Sequence, residues 1–444
     1  MNKREHYKKN FALAYPVMLG SLGHIMVGVA DSAMVGQLGA LPLAAVSLSN
    51  SLFVVPLVFS MGVAFGMTPM VANADGEGNI KKSARYLKNG LVVNMISSIL
   101  MFGAIYVLSL FISEMGQDPE VVDLSLPYLQ VISLSIIPLM FFLTYKQFAE
   151  GLSDTKAAMR VSIAANFLNV GLNYVLIFGV WGFPEMGLMG AGYSTLISRI
   201  LMAIAMYFYF SGKKHFRPYR ELFGEVKILW KSAVELLTIG VPTALQYIFE
   251  VSAFAFAAIM IGWISPLDLA AHQIAISLAS ISYMLASGMS AAASIRVGNQ
   301  LGQKDYKTLR EATQTLTHMV IVFMAITGVI FLVGRHALPA LYTDDAQVLA
   351  IAANLLIITT FFQLSDGVQV VALGGLRGLS DVKAPTYITF ACYWLLAVPL
   401  AALLGFYFEM GVVGIWVGLA AGLTFAAIFL YLRMNQKTKS LLVD

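Results

Sequence analysis

Three carboxylic acids stand where a charged side chain is hardest to keep: Asp31, Glu250 and Asp366 each lie inside a long run of apolar residues. A carboxylate at the centre of a membrane helix costs about 2.5–3.5 kcal/mol even on the lenient insertion scale, so each needs a partner, a watery cavity or a proton. No lysine lies in mid-run and Arg199 is the only arginine that does, so fixed bases are too few. A second polar feature is Asn166, Asn169 and Asn173, whose i, i+3, i+7 spacing puts them on one stripe of a helix. With the Asp31 carboxylate and the Thr195 hydroxyl, the asparagine carbonyls form an oxygen-only set suited to a hard cation such as Na+. The same asparagines can instead serve as hydrogen-bonding glue between helices, and the residues alone leave both readings open.

Other polar groups gather near these acids. Gln246 sits one turn before Glu250 on the same helical face, and His24 lies seven residues before Asp31, where it can line the same cavity. The "AAHQIA" stretch places His272 and Gln273 near the outer part of its segment, and as lone histidines His24 and His272 are otherwise read as satisfied structural residues. Glu150, Asp154 and Glu235 fall near segment ends and are expected to be solvated. The 28 phenylalanines, 19 tyrosines and 5 tryptophans are explained by packing and lipid contact, so no aromatic cage is assigned. There is no GxSxG, HExxH, P-loop or CxxC, which argues against an enzyme and against an ATP-driven pump, and no cofactor is expected. An ion gradient, of Na+ or H+, is left as the energy source.

The elements that must hold these residues are membrane helices. The 444 residues are 59% hydrophobic and only 12% charged, with a mean hydropathy of +0.78, about half the charge of a soluble domain. Requiring about 20 mostly apolar residues per span gives twelve segments: 11–38, 43–69, 88–112, 121–147, 157–181, 187–210, 232–262, 267–297, 311–335, 346–372, 384–408 and 411–433. The basic start, Lys3, Arg4, Lys8 and Lys9, resembles a signal peptide, but the apolar stretch after it is too long and lacks a small-x-small site; it reads as an uncleaved first helix. With that end cytoplasmic, every lysine and arginine except Arg199 and Arg335 falls on the same side, whereas Glu114, Asp118, Glu120, Asp123, Asp344 and Asp345 face the other. Both termini are therefore expected in the cytoplasm of a multi-pass protein of the plasma (bacterial inner) membrane. The formal charge of +4 implies no nucleic-acid partner, and the single cysteine, Cys392, has nothing in its chain to pair with.

The chain also repeats itself. Adding 226 to each number maps Pro16 to Lys81 onto Pro242 to Lys307 without a gap and with 15 identities. "GLSDTKA" at 151 matches "GLSDVKA" at 378, and "EMGLMG" at 185 matches "EMGVVG" at 409. The expected architecture is all-α: two pseudo-symmetric six-helix bundles in parallel orientation, residues 1–224 and 225–444, joined by the basic linker around Lys213 to Lys231. Two such halves can rock about a central cavity, which favours transport over a channel or receptor built on the same duplication.

The motifs "DSAMVGQLG" at 31, "NVGLNYVLIFG" at 169, "FEVSAFA" at 249, "AAHQIA" at 270, "SIRVGNQLGQKD" at 294 and "SDGVQVVALGGLRG" at 365 resemble, over essentially the whole chain, the NorM-like branch of the multidrug and toxic compound extrusion (MATE) transporters. That resemblance implies a cation site at Asp31, Asn169, Asn173 and Thr195, and acidic positions at Glu250 and Asp366 with Gln273 nearby. It implies a drug cavity touching His24, Asp31, Gln246, Glu250, Gln273 and Asp366. An acid at Glu250 is a mark of the NorM-like rather than the DinF-like branch. Ser365 stands where some relatives carry a second acid, and His24 where a glutamine can occur; both bear on drug selectivity. The implied activity is export of amphipathic organic cations in exchange for Na+ or H+, with Na+ favoured by the asparagine stripe. Lipid surrounds the expected monomer. The alternative is a flippase for lipid-linked precursors, which calls for a cationic cavity where this chain has acids.

Overall fold

A computed structural model describes residues 2–116 and 118–442. Met1 and Asp444, the outer limits of the two expected halves, lie outside the described residues. Among the described residues twelve helices are long and apolar enough to cross a membrane: α1 Lys3–Gly36, α2 Ala40–Gly76, α3 Ile80–Ser109, α4 Pro119–Gly151, α5 Thr155–Phe178, α6 Leu188–Gly212, α7 Trp230–Ile264, α8 Pro266–Gln303, α9 Tyr306–Val333, α10 Ala346–Gly378, α11 Lys383–Tyr407 and α12 Gly411–Ser440. No strand occurs among the described residues. The all-α, twelve-span expectation holds, with longer helices than the apolar windows: α1 begins at Lys3 rather than 11, and α12 runs to Ser440 rather than 433. Charge marks where hydrocarbon ends, but a helix keeps adding one backbone bond per residue into the headgroups and water.

Three spans are not continuous α-helix. α2 is interrupted at Gly66 and α4 at Ser135. α11 carries two π-helical stretches, Ala391–Ala397 and Leu403–Tyr407. Such wide turns insert a residue and re-aim the side chains that follow.

By internal contacts the chain forms two compact units: residues 19–244, and residues 2–18 together with 245–442. In the first, polar side chains tie helices where apolar packing alone gives no direction. Asn94 on α3 donates to Thr144 on α4 at 2.8 Å, and Thr68 on α2 bonds the Gln147 amide of α4. The linker after α6 is fastened to α3: Lys88 Nζ donates to the carbonyls of Phe223 (3.0 Å) and Val226 (2.9 Å), and the Leu229 amide donates to Asn89 Oδ1 at 3.1 Å. Glu150 corrects the expectation of a solvated end. It is 3% exposed, with Lys146 Nζ 3.8 Å away, because α4 continues beyond its apolar window and still packs on α2 there.

The second unit is built on α8, α10 and α12. Gly374 of α10 meets the Ser290 backbone of α8 so closely that any Cβ would collide with it, and Ser290 Oγ donates to Val370 O at 2.7 Å. α9 shows how the lipid boundary is read: Leu309, Ala312, Leu316, Val320 and Met324 are buried, while Val322, Ile326, Val329, Ile330 and Val333 are exposed. Both faces are apolar, as expected of a helix between protein and hydrocarbon. The start of α1 docks on this unit, with His6 Nε2 3.0 Å from Glu311 and Asn10 Nδ2 donating to Thr315 Oγ1 at 2.9 Å.

The repeat is visible in the caps. Asn79 accepts the Lys82 amide at 2.9 Å to start α3, and 226 residues on Asp305 accepts the Thr308 amide at 3.1 Å to start α9. The Thr308 side-chain and backbone donors hold the Asp305 carboxyl below its usual value of 3.8. Its ionised form is thus favoured in the folded state, and that stability is present above about pH 4 and fades as pH falls through the lower, folded value. Asp305→Ala is expected to cost about 1 kcal/mol. Thermal unfolding in detergent should show the variant's midpoint below wild type at pH 7, with the gap narrowing below pH 4.

Candidate functional site

In the unit of residues 19–244, α1 and α5 bring Asp31, Asn169 and Asn173 together. Asn173 Nδ2 donates to Asp31 Oδ1 and, at 3.2 Å, to Asn169 Oδ1. Asn169 and Asn173 are 4% and 0% exposed. The i, i+4 spacing makes this geometry possible, since it stacks the two amides one above the other on one helical face. The set is also incomplete in hydrogen bonds: Asn173 Oδ1 and Asn166 Nδ2 are buried with no partner among the described residues. A half-turn of the Asn173 amide exchanges donor for acceptor and turns its oxygen towards Asp31 Oδ1 and Asn169 Oδ1.

Among the described residues Arg199 makes no ion pair with Asp31, and its charge reaches that carboxylate only at longer range. Arg199 NH1 donates to Ser135 Oγ at 2.6 Å, at the break in α4, and its guanidinium lies over the Phe53 ring at 5.7 Å. Thr195, one turn before Arg199 on α6, is half-buried and takes no part in these bonds. His24 is accessible on α1. Its neighbour Gly23 packs on the stripe: a Cβ there would stand 2.6 Å from Asn166 Nδ2, so only glycine admits that amide so close.

In the second unit Glu250 on α7 and Asp366 on α10 are 7% and 5% exposed. Their charges act on each other, and the hydroxyls of Tyr283 on α8 and Tyr393 on α11 lie beside Glu250; no base among the described residues does. Tyr393 is fixed by Gln369, whose Nε2 donates to the phenol oxygen at 2.9 Å while the phenol donates back to Oε1 at 3.1 Å. It sits in the first π-helical stretch of α11. One turn from Asp366, Gln363 accepts from Thr327 at 3.1 Å, and its buried Nε2 has no partner among the described residues.

The remaining residues separate. Gln246 Nε2 is spent on the Val382 carbonyl (3.2 Å) and Thr386 Oγ1 (3.0 Å), tying α7 to α11. Gln273 is exposed on α8, and His272 accepts the Trp416 indole N–H at 3.1 Å through Nδ1, a structural bond. Ser365 shares a hydroxyl bond of 2.9 Å with Thr424. Sequence reasoning missed Tyr283, Tyr393, Gln363 and Gln369. One signal was available for Tyr393: adding 227 to Asn166 gives 393, as adding 226 to His24 gives Glu250. Each half therefore keeps a polar residue on its first helix and another on its fifth, at matching positions and with different chemistry.

The MatE family model matches the chain twice, over residues 16–175 and 242–403. The two matches start at Pro16 and Pro242, the ends of the 226-residue offset. Multidrug resistance protein NorM of Photobacterium profundum is 32% identical over 438 residues, covering 98% of this chain and 96% of that protein. Multidrug resistance protein MdtK of Yersinia pseudotuberculosis is 32% identical over 433 residues, covering 96% and 95%. The fold matches the crystal structure of the eukaryotic MATE transporter AtDTX14 with a TM-score of 0.88, at 21% identity over 99% of this chain and 98% of that one. It matches the outward-facing conformation of a multidrug resistance MATE family transporter of the MOP superfamily with a TM-score of 0.91, at 18% identity over 99% and 97%. Double-matched by the family model and aligned nearly end to end with NorM and MdtK, the chain belongs to the MATE family of multi-pass membrane transporters.

Proposed function

We propose that this protein is a multidrug efflux antiporter of the bacterial inner membrane, exporting amphipathic organic cations in exchange for Na+ or H+, with Na+ favoured. The observation that carries this reading is the Asp31 carboxylate, held by the Asn173 amide beside Asn169 and joined to no base among the described residues. A carboxylate in hydrocarbon that no base pairs directly suits a mobile counter-charge. The unpartnered Asn173 oxygen supplies the neutral donor that Na+ uses and a proton does not need. Thr195, on α6, is the fourth oxygen of this reading.

Glu250 and Asp366 are the electrostatic attraction for the organic cation, and His24, Asp31, Gln246 and Gln273 complete the assigned drug contacts. Ion loading lowers the attraction for the drug, and by reciprocity drug binding weakens ion binding by the same factor. A membrane voltage adds about 2.3 kcal/mol per charge per 100 mV to the ion's inward pull. The transporter acts as a monomer with both termini cytoplasmic, an orientation supported by the one-sided distribution of lysine and arginine.

The test is efflux of a fluorescent organic cation from proteoliposomes with Na+ and pH gradients imposed separately. An inward Na+ gradient alone should drive efflux. Drive by the pH gradient alone assigns the coupling to protons, and no drive by either rejects antiport.

A further inference from the structure

The Tyr393 phenol carries one proton and stands beside two acceptors for it. The side chain is 1% exposed on α11, at the place where the acid-bearing faces of α7 and α10 meet. Ala253 and Phe254, three and four residues after Glu250 on α7, pack on it, with the Phe254 ring 6.2 Å from its own. Phe362 packs there too, and it shares an i, i+4, i+7 face of α10 with Asp366 and Gln369. The ring is confined, because α7 and α11 are fastened just before and just after it. Phe249 and Phe390 have ring centres 5.1 Å apart, and Trp394 Nε1 donates to Ser252 Oγ at 3.2 Å. The Tyr393 carbonyl accepts the Val398 amide five residues on, one of the wide bonds of the π-helical stretch.

The two acceptors differ in charge. Gln369, fully buried, donates through Nε2 to the phenol oxygen at 2.9 Å and offers Oε1 to the phenol proton at 3.1 Å. The Glu250 carboxyl lies beside the same hydroxyl. A hydrogen bond to an ionised carboxylate is roughly twice as strong as one to a neutral amide. The proton therefore points to Glu250 while that group is charged and free, and to Gln369 once the charge is neutralised. Without Gln369 the second state would leave a buried hydroxyl with no acceptor.

We propose that Tyr393 and Gln369 are positioning residues forming a hydrogen-bond switch that sets how tightly the acid pair takes a cation: the phenol donates to free Glu250 and turns to Gln369 Oε1 when a cation neutralises the carboxylate. The proton stays on the phenol oxygen throughout, and only the direction of the O–H bond changes. Tyr393 thus opposes cation binding and Gln369 assists it. The switch rests on the reading of Glu250 as an attraction for the organic cation.

Equilibrium binding of rhodamine 6G to the detergent-purified full chain tests it. Tyr393→Phe should tighten binding and Gln369→Met should weaken it, each by about two- to tenfold, the range of one net hydrogen bond. Gln369→Leu repeats the second arm if the methionine variant assembles poorly. In a Glu250→Gln background, where no charge draws the proton, the Tyr393→Phe effect should vanish. A pair that only braced α10 against α11 would lower both thermal midpoints and move both affinities the same way. Shifts in the same direction, no shift, or a Tyr393→Phe effect that persists in Glu250→Gln overturns the switch and leaves the transport reading standing. Wild-type affinity in Glu250→Gln itself removes that reading, and the switch with it.

Discussion

Asp31→Asn is expected to leave the protein folded and to weaken ion-driven accumulation severalfold or more. The carboxamide keeps an oxygen where the Asn173 Nδ2 now donates, so the contact between α1 and α5 survives in its neutral form. What is lost is the only charge in that cluster, and with it the attraction for a cation in a low-dielectric site. Coupling between two ligands of one protein is typically about 1–3 kcal/mol, so gradient-driven efflux should fall by about 5- to 150-fold. Transport in proteoliposomes under an imposed Na+ gradient gives the size of the loss, and an unchanged thermal midpoint confirms that folding is not the cause. Asn173→Ala separates the two roles of the amide: a pure strut would lower the midpoint and spare Na+ dependence, whereas a ligand shifts the Na+ concentration needed for half-maximal efflux. Efflux by Asp31→Asn at the wild-type rate would remove the central element of the proposed mechanism.

Glu250→Gln and Asp366→Asn are expected to move function and stability in opposite directions. Each removes a buried charge that could pair with an organic cation, and such partners contribute about 2 kcal/mol or more when desolvated, so drug affinity should drop by about tenfold or more per variant. The two acids also act on each other, and no ion pair among the described residues holds either. Removing either one relieves that repulsion, and the thermal midpoint of the drug-free protein should rise rather than fall. Because the acids are neighbours, the double variant should lose less affinity than the two single losses added together. Equilibrium binding of a fluorescent cation, with unfolding curves on the same samples, reads all three. A fall in midpoint for both single variants would show instead that the acids are held by bonds that matter to the fold.

Which parts of this were legible in the sequence follows from which forces act over short stretches of chain. The twelve spans were, because a lipid-crossing helix must be apolar for its whole length. The duplication was as well, and its offset reappears in the Asn79 and Asp305 caps and in the start of the two family matches. The Asp31, Asn169 and Asn173 cluster was half legible: the stripe is helical spacing, but that α5 would turn it towards α1 is tertiary. Tyr393 was marked only by the repeat, as the position 227 after Asn166, and its direction depends on the π-helical stretch at Ala391–Ala397. Gln246 has a partner that spacing does not disclose. Its spacing puts it on the face of Glu250, but its amide is used to bond α11. Glu150 shows that a place near the end of an apolar window is not the same as contact with water.

The matched positions His24 and Glu250 have a consequence for acid conditions. A proton added to the imidazole takes that station from neutral to positive; one added to the carboxyl takes the other from negative to neutral. Both steps are worth one unit in the same direction, from different baselines. In the proposed antiport a positively charged guest would therefore lose an ally at one station and gain an opponent at the other, so acidification should loosen its hold at both matched positions.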